Sequence, residues 1–409
     1  MTNATTERQR ELVGLAGELA DVFASRADRY DRDNAFPHDN YEDLRAAGFL
    51  RLSVPVELGG SGAELGDLLP VVERLAMGDG PTALAVSMHL TPVAQWAAVW
   101  RRTGSERLER VLREVVEGKV VWASVTSELG MANDLTDART RAVRVPGGYL
   151  LTGRKSFGTN TSVATHFSTT ARYEHAEDGP RLLFCHLRMD QAGVRVHDTW
   201  DTMGMRGTRS DDVELADVVV PDEAVVHSVP VGHLDARLLR TVWSAALPSF
   251  AAVYTGIAAG ALEWTTRQLV SRGKQDDPVL QDIVGECQML LESSRALVHR
   301  HVDEVRTGRL FEHDVQQGVA RCATVKYVAT NNAAQVVRRL VDVLGGASYT
   351  RALPFERMWR DVQAGTFMPV ANLAARKLVG ATALGVRTAP STGADGNDPV
   401  SRATAHATA

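Results

Sequence analysis

The chain reads as an α+β protein, mainly α. A helical N-terminal segment (1–118), a β segment (119–228) and a C-terminal helical bundle (229–388) follow one another. Three observations predict this order. Apolar residues recur at helical spacing up to about Gly118, the period switches to two between about Lys119 and His227, and long helical patterns return from about Leu234 to Arg387. With 409 residues and 44% apolar content, the chain is long enough for two or three packed units.

In the first segment Leu12, Leu15, Ala16, Leu19 and Phe23 make the stripe of a helix with one buried face. A short helix is expected from Tyr41 to Ala47, stopped by Gly48. The loop Glu57-Leu58-Gly59-Gly60-Ser61-Gly62 lacks the Lys-Ser/Thr ending of a phosphate loop and follows no clear strand, so it is read as a turn. In the β segment Arg141 to Val145 and Tyr149 to Thr152 flank Pro146-Gly147-Gly148 as a hairpin. Strands are expected at His166 to Tyr173, Arg181 to Leu187, Val194 to His197 and Val213 to Val220, giving a small β-barrel or sandwich. Helices broken near Gly273 to Pro278, near Gly308 and at Gly345-Gly346 suggest an antiparallel four-helix bundle. The tail 389–409, rich in small and polar residues, is expected to be disordered.

The bulk properties narrow the function classes. A net charge of −5 offers no general attraction to nucleic acid or an anionic membrane. No apolar run is read as a membrane span, and the N-terminus has no secretory pattern. Cys185, Cys287 and Cys322 are few and widely spaced, as expected of reduced thiols in a cytoplasmic protein. His299 and His301 are two apart on a helix and cannot pair as metal ligands, and no metal-ligand spacing is found.

Four segments carry the chemistry: Ser127-Glu128-Leu129-Gly130-Met131-Ala132-Asn133-Asp134; Lys155-Ser156-Phe157-Gly158-Thr159-Asn160; Gly204-Met205-Arg206-Gly207-Thr208 with the strand after it; and Gly345-Gly346 running through Pro354-Phe355-Glu356-Arg357 to Arg360-Asp361. In this order they resemble the flavin-binding segments of the acyl-CoA dehydrogenase superfamily, and the match covers nearly all the chain except the tail.

The resemblance implies FAD, with FMN less favoured, as cofactor of a homodimer or homotetramer. It assigns cofactor binding to Ser127, Phe157, Thr159, Arg272, Gly345 and Gly346, with the glycines completing a neighbouring subunit's site. Phe157 would be an aromatic wall, and Thr159 would offer a hydroxyl or amide near the flavin N5. At the adenine end Arg272 stands without the usual Phe-Gly, and Asp342 replaces a glutamine.

In the dehydrogenases of this family a glutamate removes the substrate α-proton. Counting eight residues on from Arg360-Asp361 reaches Pro369, and the alternative place, ten residues before Gly256-Ile257-Ala258, is Ala246. Leu247 stands where many members place an arginine toward CoA. Superfamily members without the glutamate are often monooxygenases fed with reduced flavin by a flavin reductase, although a histidine common in those enzymes is Met368 here. The resemblance therefore implies a flavin-dependent oxidoreductase, most simply a monooxygenase acting on a small organic substrate. A dehydrogenase of acyl-CoA or an acyl-carrier protein with a relocated base, or a non-catalytic partner subunit, are the alternatives. His89 and Asn133 are the candidate catalytic residues on the substrate side, and Glu356 and Asp361 are read as structural partners of Arg357 and Arg360.

Overall fold

The computed structural model describes residues 6–131, 136–236, 239–312, 314–388 and 391–392. Five helices precede the sheet: α1 (Glu7–Asp33), α2 (His38–Ala46), α3 (Leu65–Gly78), α4 (Gly80–Thr103) and α5 (Glu106–Val116). Thr6 caps α1 in a reciprocal pair with Gln9, and Asp79 caps α4 through the Thr82 N–H, so both helices begin where their orphan donors are satisfied. The buried face of α1 is rotated from the expected stripe. Leu15 is exposed, whereas Val13, Ala16, Ala20, Phe23 and Ala27 are buried. Small residues face α3 because the helices nearly touch: a Cβ on Gly78 would meet the Ala20 carbonyl at 2.0 Å.

The β segment forms one eight-stranded sheet of β1 (Trp122–Ser124), β2 (Arg141–Val145), β3 (Gly148–Lys155), β4 (His166–Tyr173), β5 (Arg181–Arg188), β6 (Val194–Val196), β7 (Val213–Pro221) and β8 (Val225–Pro230). Its order is β6-β7-β3-β2-β4-β5-β8, with β1 added in parallel to β4. The expected hairpin is present, with Val145 opposite Gly148. Alternate residues Phe167 and Ala171, Leu183, Cys185 and Leu187, and Val213 and Leu215 turn to one side and make the sheet's own core.

The second helical part holds α6 (Ser244–Ser271), α7 (Pro278–Arg306), α8 (Val315–Leu344), α9 (Phe355–Gln363) and α10 (Asn372–Ala383). Its core is not separate. Leu75, Val72 and Phe23 of the first helices join Val253, Tyr254, Ile257, Val336 and Val337 in one cluster. Helix α6 is central and packs on α3, α4, α7 and α8. Its crossing with α3 needs Gly256, where a Cβ would sit 2.2 Å from the Glu73 carbonyl.

The continuous helical run Leu239–Ser271 is long and apolar enough to cross a membrane by length and composition, but 94% of its 18-residue apolar window is buried inside the fold. It is apolar all round because protein surrounds it. Of the tail 389–409, expected to be disordered, only 391–392 are described, and Ser391–Thr392 pair in parallel with Leu234–Asp235.

The charged residues of the last motif form a buried network. Arg357 pairs with Asp79 at 3.2 Å and Asp361 at 3.5 Å, while Arg360 holds Asp31 at 2.6 Å and Glu356 at 2.7 Å. Asp361 also accepts the Met205 N–H, tying α9 to the loop before β7.

Candidate active site

A cavity of about 300 Å³ opens between α4, the start of α6 and the sheet strands β1, β4 and β5. Because α4 turns one face to it, Ser87, Thr91 and Gln95 form one row along the wall and Met88, Pro92 and Trp96 the next. Trp243, just before α6, and Leu247 and Phe250 on it close the cavity from that side. Ala246 and Pro369, at the two positions where the family's dehydrogenases carry a carboxylate base, both stand in this wall.

The acids that border the cavity are engaged. Glu128 accepts from Lys155 Nζ at 2.6 Å, from the Thr140 hydroxyl and N–H, and from the Arg139 N–H. Burial pushes its pKa up, but the Lys155 charge and these donors outweigh that and leave it below the usual glutamate value. Asp137 pairs with Arg172 at 2.7 Å. Among the described residues the wall therefore offers no unpaired carboxylate.

His89 is fully buried and is not part of the wall. Its Nε2 donates to the Leu50 carbonyl at 2.7 Å and its Nδ1 accepts the Trp122 N–H at 3.1 Å. Those bonds fix one neutral tautomer, and burial lowers the pKa to about 4. This imidazole pins α4 to β1 and has no nitrogen left for substrate, which corrects its expected catalytic place. His186 and His227 do reach the wall, His186 packed edge-on against Trp122 at 4.7 Å. Burial, aided by Arg107, lowers the His186 pKa to about 4, so it too is neutral. The strand pattern placed it on β5, but nothing in that pattern told it from its neighbours. Asn133 lies outside the described residues.

The expected cofactor residues fall in two places. Ser127 lines the cavity, and its carbonyl accepts the Ser156 N–H at 2.9 Å, which sets the next turn beside it. On that turn Phe157 is 47% exposed and holds a left-handed backbone (φ 60°), a conformation disfavoured for a bulky residue. A core phenylalanine would be covered; this one presents its ring outward, edge-on to Trp200. The Thr159 N–H is taken by the Phe157 carbonyl at 2.8 Å, so of the two groups expected from Thr159 only the hydroxyl remains. That hydroxyl meets Ser210 at 2.8 Å, and Ser210 meets Thr208 at 2.8 Å. An uncovered aromatic face beside an ordered hydroxyl fits a flat heteroaromatic ring such as a flavin's.

Arg272, Gly345 and Gly346 are not in the cavity wall. Arg272 is exposed past the end of α6, and its guanidinium bonds no other described residue. A Cβ at Gly345 or Gly346 would meet open space, so within one chain these glycines are not forced by close approach. Tyr349, at the end of their turn, is 92% exposed.

Helices on both sides of a sheet segment, with a cavity where the three meet, define the dehydrogenase-like flavoprotein class. Residues 6–119, 123–218 and 249–373 match, respectively, the N-terminal, middle and C-terminal domains of acyl-CoA dehydrogenase. The chain belongs to the acyl-CoA dehydrogenase family and is a flavin-dependent oxidoreductase by that membership. It is 28% identical over 374 residues to the putative acyl-CoA dehydrogenase YdbM of Bacillus subtilis, covering 89% of this chain and 94% of that one. It is also 28% identical over 373 residues to the dibenzothiophene monooxygenase of Rhodococcus erythropolis, covering 86% and 88%. Among solved structures, KijD3 in complex with FMN and dTDP-3-amino-2,3,6-trideoxy-4-keto-3-methyl-D-glucose superposes with a TM-score of 0.84 at 29% identity, covering 98% of each chain.

Proposed function

We propose that this protein is a monooxygenase that uses reduced flavin to oxygenate a small organic substrate. The observation that carries the reading is the cavity wall itself: Pro369 and Ala246 stand in it where a dehydrogenase needs a carboxylate, and both bordering acids are neutralised by partners. A bound reduced flavin supplies the electrons that activate O₂. The protein's own share is to hold the ring, with Phe157 as its wall and Thr159 and Ser127 as polar contacts, and to keep water away with Trp96, Trp122, Trp243 and Phe250. The electrons come from a separate flavin reductase. FAD is the family's cofactor, while the FMN in KijD3 and the exposed Arg272 favour a site that does not depend on the adenine end. A homodimer or homotetramer, with the Gly345–Tyr349 turn at a subunit contact, agrees with the exposure of Tyr349.

The second reading, a dehydrogenase with a relocated base, rests on His186, a neutral imidazole in the wall. One experiment separates them. The flavin-loaded protein is mixed anaerobically with acyl-CoAs of several lengths and, separately, chemically reduced and exposed to air. Slow or absent bleaching by thioesters, with an oxygen reaction of the reduced protein unlike that of free flavin, supports the monooxygenase; rapid bleaching by a thioester overturns it.

A further inference from the structure

We infer that the cavity is built for a compact, uncharged substrate carrying at least two hydroxyl or carbonyl groups, and not for a hydrocarbon acyl chain. The inference rests on the reading of this cavity as the substrate site. Thr91, Gln95 and Ser249 are among the polar side chains of its wall that make no hydrogen bond to any other described residue. Ser249 is 2% exposed and Thr91 8% exposed. The Ser249 hydroxyl and the side-chain nitrogen of Gln95 are buried without a partner. Either amide atom of Gln95, donor or acceptor, needs a partner when buried.

A serine inside a helix usually returns its proton to the carbonyl one turn back, as Thr265 and Thr330 do here. Ser249 does not, and it faces the cavity. Buried polar groups are rarely left unsatisfied, and in an enclosed site their partner is water or a ligand. A hydrocarbon chain would displace that water and return no hydrogen bond. The surrounding Met88, Pro92, Trp96, Leu247 and Phe250 suit an apolar frame, and the wall's two acids are already neutralised, so a net charge on the ligand would find no counter-charge.

A shape-matched probe pair tests this: cyclohexane-1,4-diol and 1,4-dimethylcyclohexane, with binding to the flavin-loaded protein read by ligand-observed NMR. The measured quantity is the ratio of the two dissociation constants. Gln95→Leu and Ser249→Ala are each expected to move that ratio toward the hydrocarbon by about fivefold to tenfold, the value of one hydrogen bond. Ser87→Ala is the control: Ser87 lines the same wall, but its hydroxyl is already held by the Leu84 carbonyl at 2.7 Å, so the ratio should move less than twofold. Thermal melts of each variant confirm folding, and Ser249→Ala, the smallest change, stands alone if Gln95→Leu fails to fold. Shifts no larger than the Ser87→Ala control, or no binding of the diol at all, overturn the inference. Binding is read without turnover, so a reduced protein that keeps its own oxygen reaction but shows none of these shifts refutes this inference while sparing the oxygenase reading.

Discussion

Arg357 on α9 reaches Asp79, the N-cap of α4, across 278 positions of sequence, and both side chains are almost wholly buried. The same Asp79 carboxylate starts α4, the helix that lines the substrate cavity, so the last motif of the chain fixes where that helix begins. Removing one partner of such a pair leaves uncompensated charge in the interior.

Arg357→Met should destabilise the protein by roughly 3–5 kcal/mol, because Asp79 and Asp361 would both lose their buried counter-charge. Urea unfolding followed by circular dichroism measures this. A loss below about 1 kcal/mol would show that the cluster is not held by this arginine.

Burial pushes the Asp361 carboxyl up to about 7, against the pull of Arg357 and the Met205 N–H. A carboxyl that ionises near 4 when unfolded therefore keeps its proton longer when folded. Its stabilising contribution is complete below about pH 4 and is lost as the pH climbs to about 7. Between pH 5 and 7.5 the native protein should lose roughly 2 kcal/mol relative to Asp361→Asn, which cannot ionise. Parallel pH-stability curves for the two proteins would refute the assignment.

His89→Ala should destabilise the fold by roughly 2–4 kcal/mol, since the Leu50 carbonyl and the Trp122 N–H both lose a buried partner. A conservative His89→Gln variant should leave the pH profile of activity between 5.5 and 8 unchanged, because the native imidazole is neutral throughout that range. A profile that changes shape would return His89 to the chemistry.

Thr159→Val should weaken flavin binding about fivefold and shift the visible absorbance of the bound flavin, while Thr159→Ser should restore both. Titration of the flavin-free protein reads the two effects. Unaltered affinity and spectrum in Thr159→Val would separate the Thr159–Ser210–Thr208 hydroxyl chain from the cofactor.

Ala246→Glu places a carboxylate in the cavity wall, yet it should raise the rate of anaerobic flavin reduction by a simple acyl-CoA less than about tenfold over the unmodified protein, because the unpartnered polar groups of the wall disfavour a hydrocarbon chain. Stopped-flow absorbance gives both rates. A gain of about 100-fold or more would mean that acyl thioesters do reach this wall and lack only the base.

Much of the architecture was legible in local spacing, because period two and period 3.6 are properties of neighbouring residues: the Val145–Gly148 hairpin and the breaks near Gly273 and Gly308 lie where the sequence puts them. What spacing could not show was partnership across the chain. His89 and His186 both sit among apolar residues, and only the folded positions of Leu50 and Trp122 decide that the first is consumed by backbone while the second meets the cavity. Likewise Leu15 looked as suitable for burial as Ala16, but only Ala16 turns inward in the folded chain. Thr91, Gln95 and Ser249 gave no signal at all, since a missing partner is visible only once every neighbour is in place.

The core shared by the first and last helices sets a schedule for synthesis on the ribosome. When α1, α3 and α4 emerge, Phe23, Val72 and Leu75 await Val253, Ile257 and Val336, which are translated only after the whole sheet. For that interval the nascent chain carries an apolar surface with nothing to cover it, a condition that favours aggregation and engagement by chaperones. The sheet, with a core of its own, has no such wait. Truncated chains ending near residue 235 should therefore yield a protease-resistant sheet and helices that stay sensitive, and expression of the full protein should depend on how quickly its last third arrives.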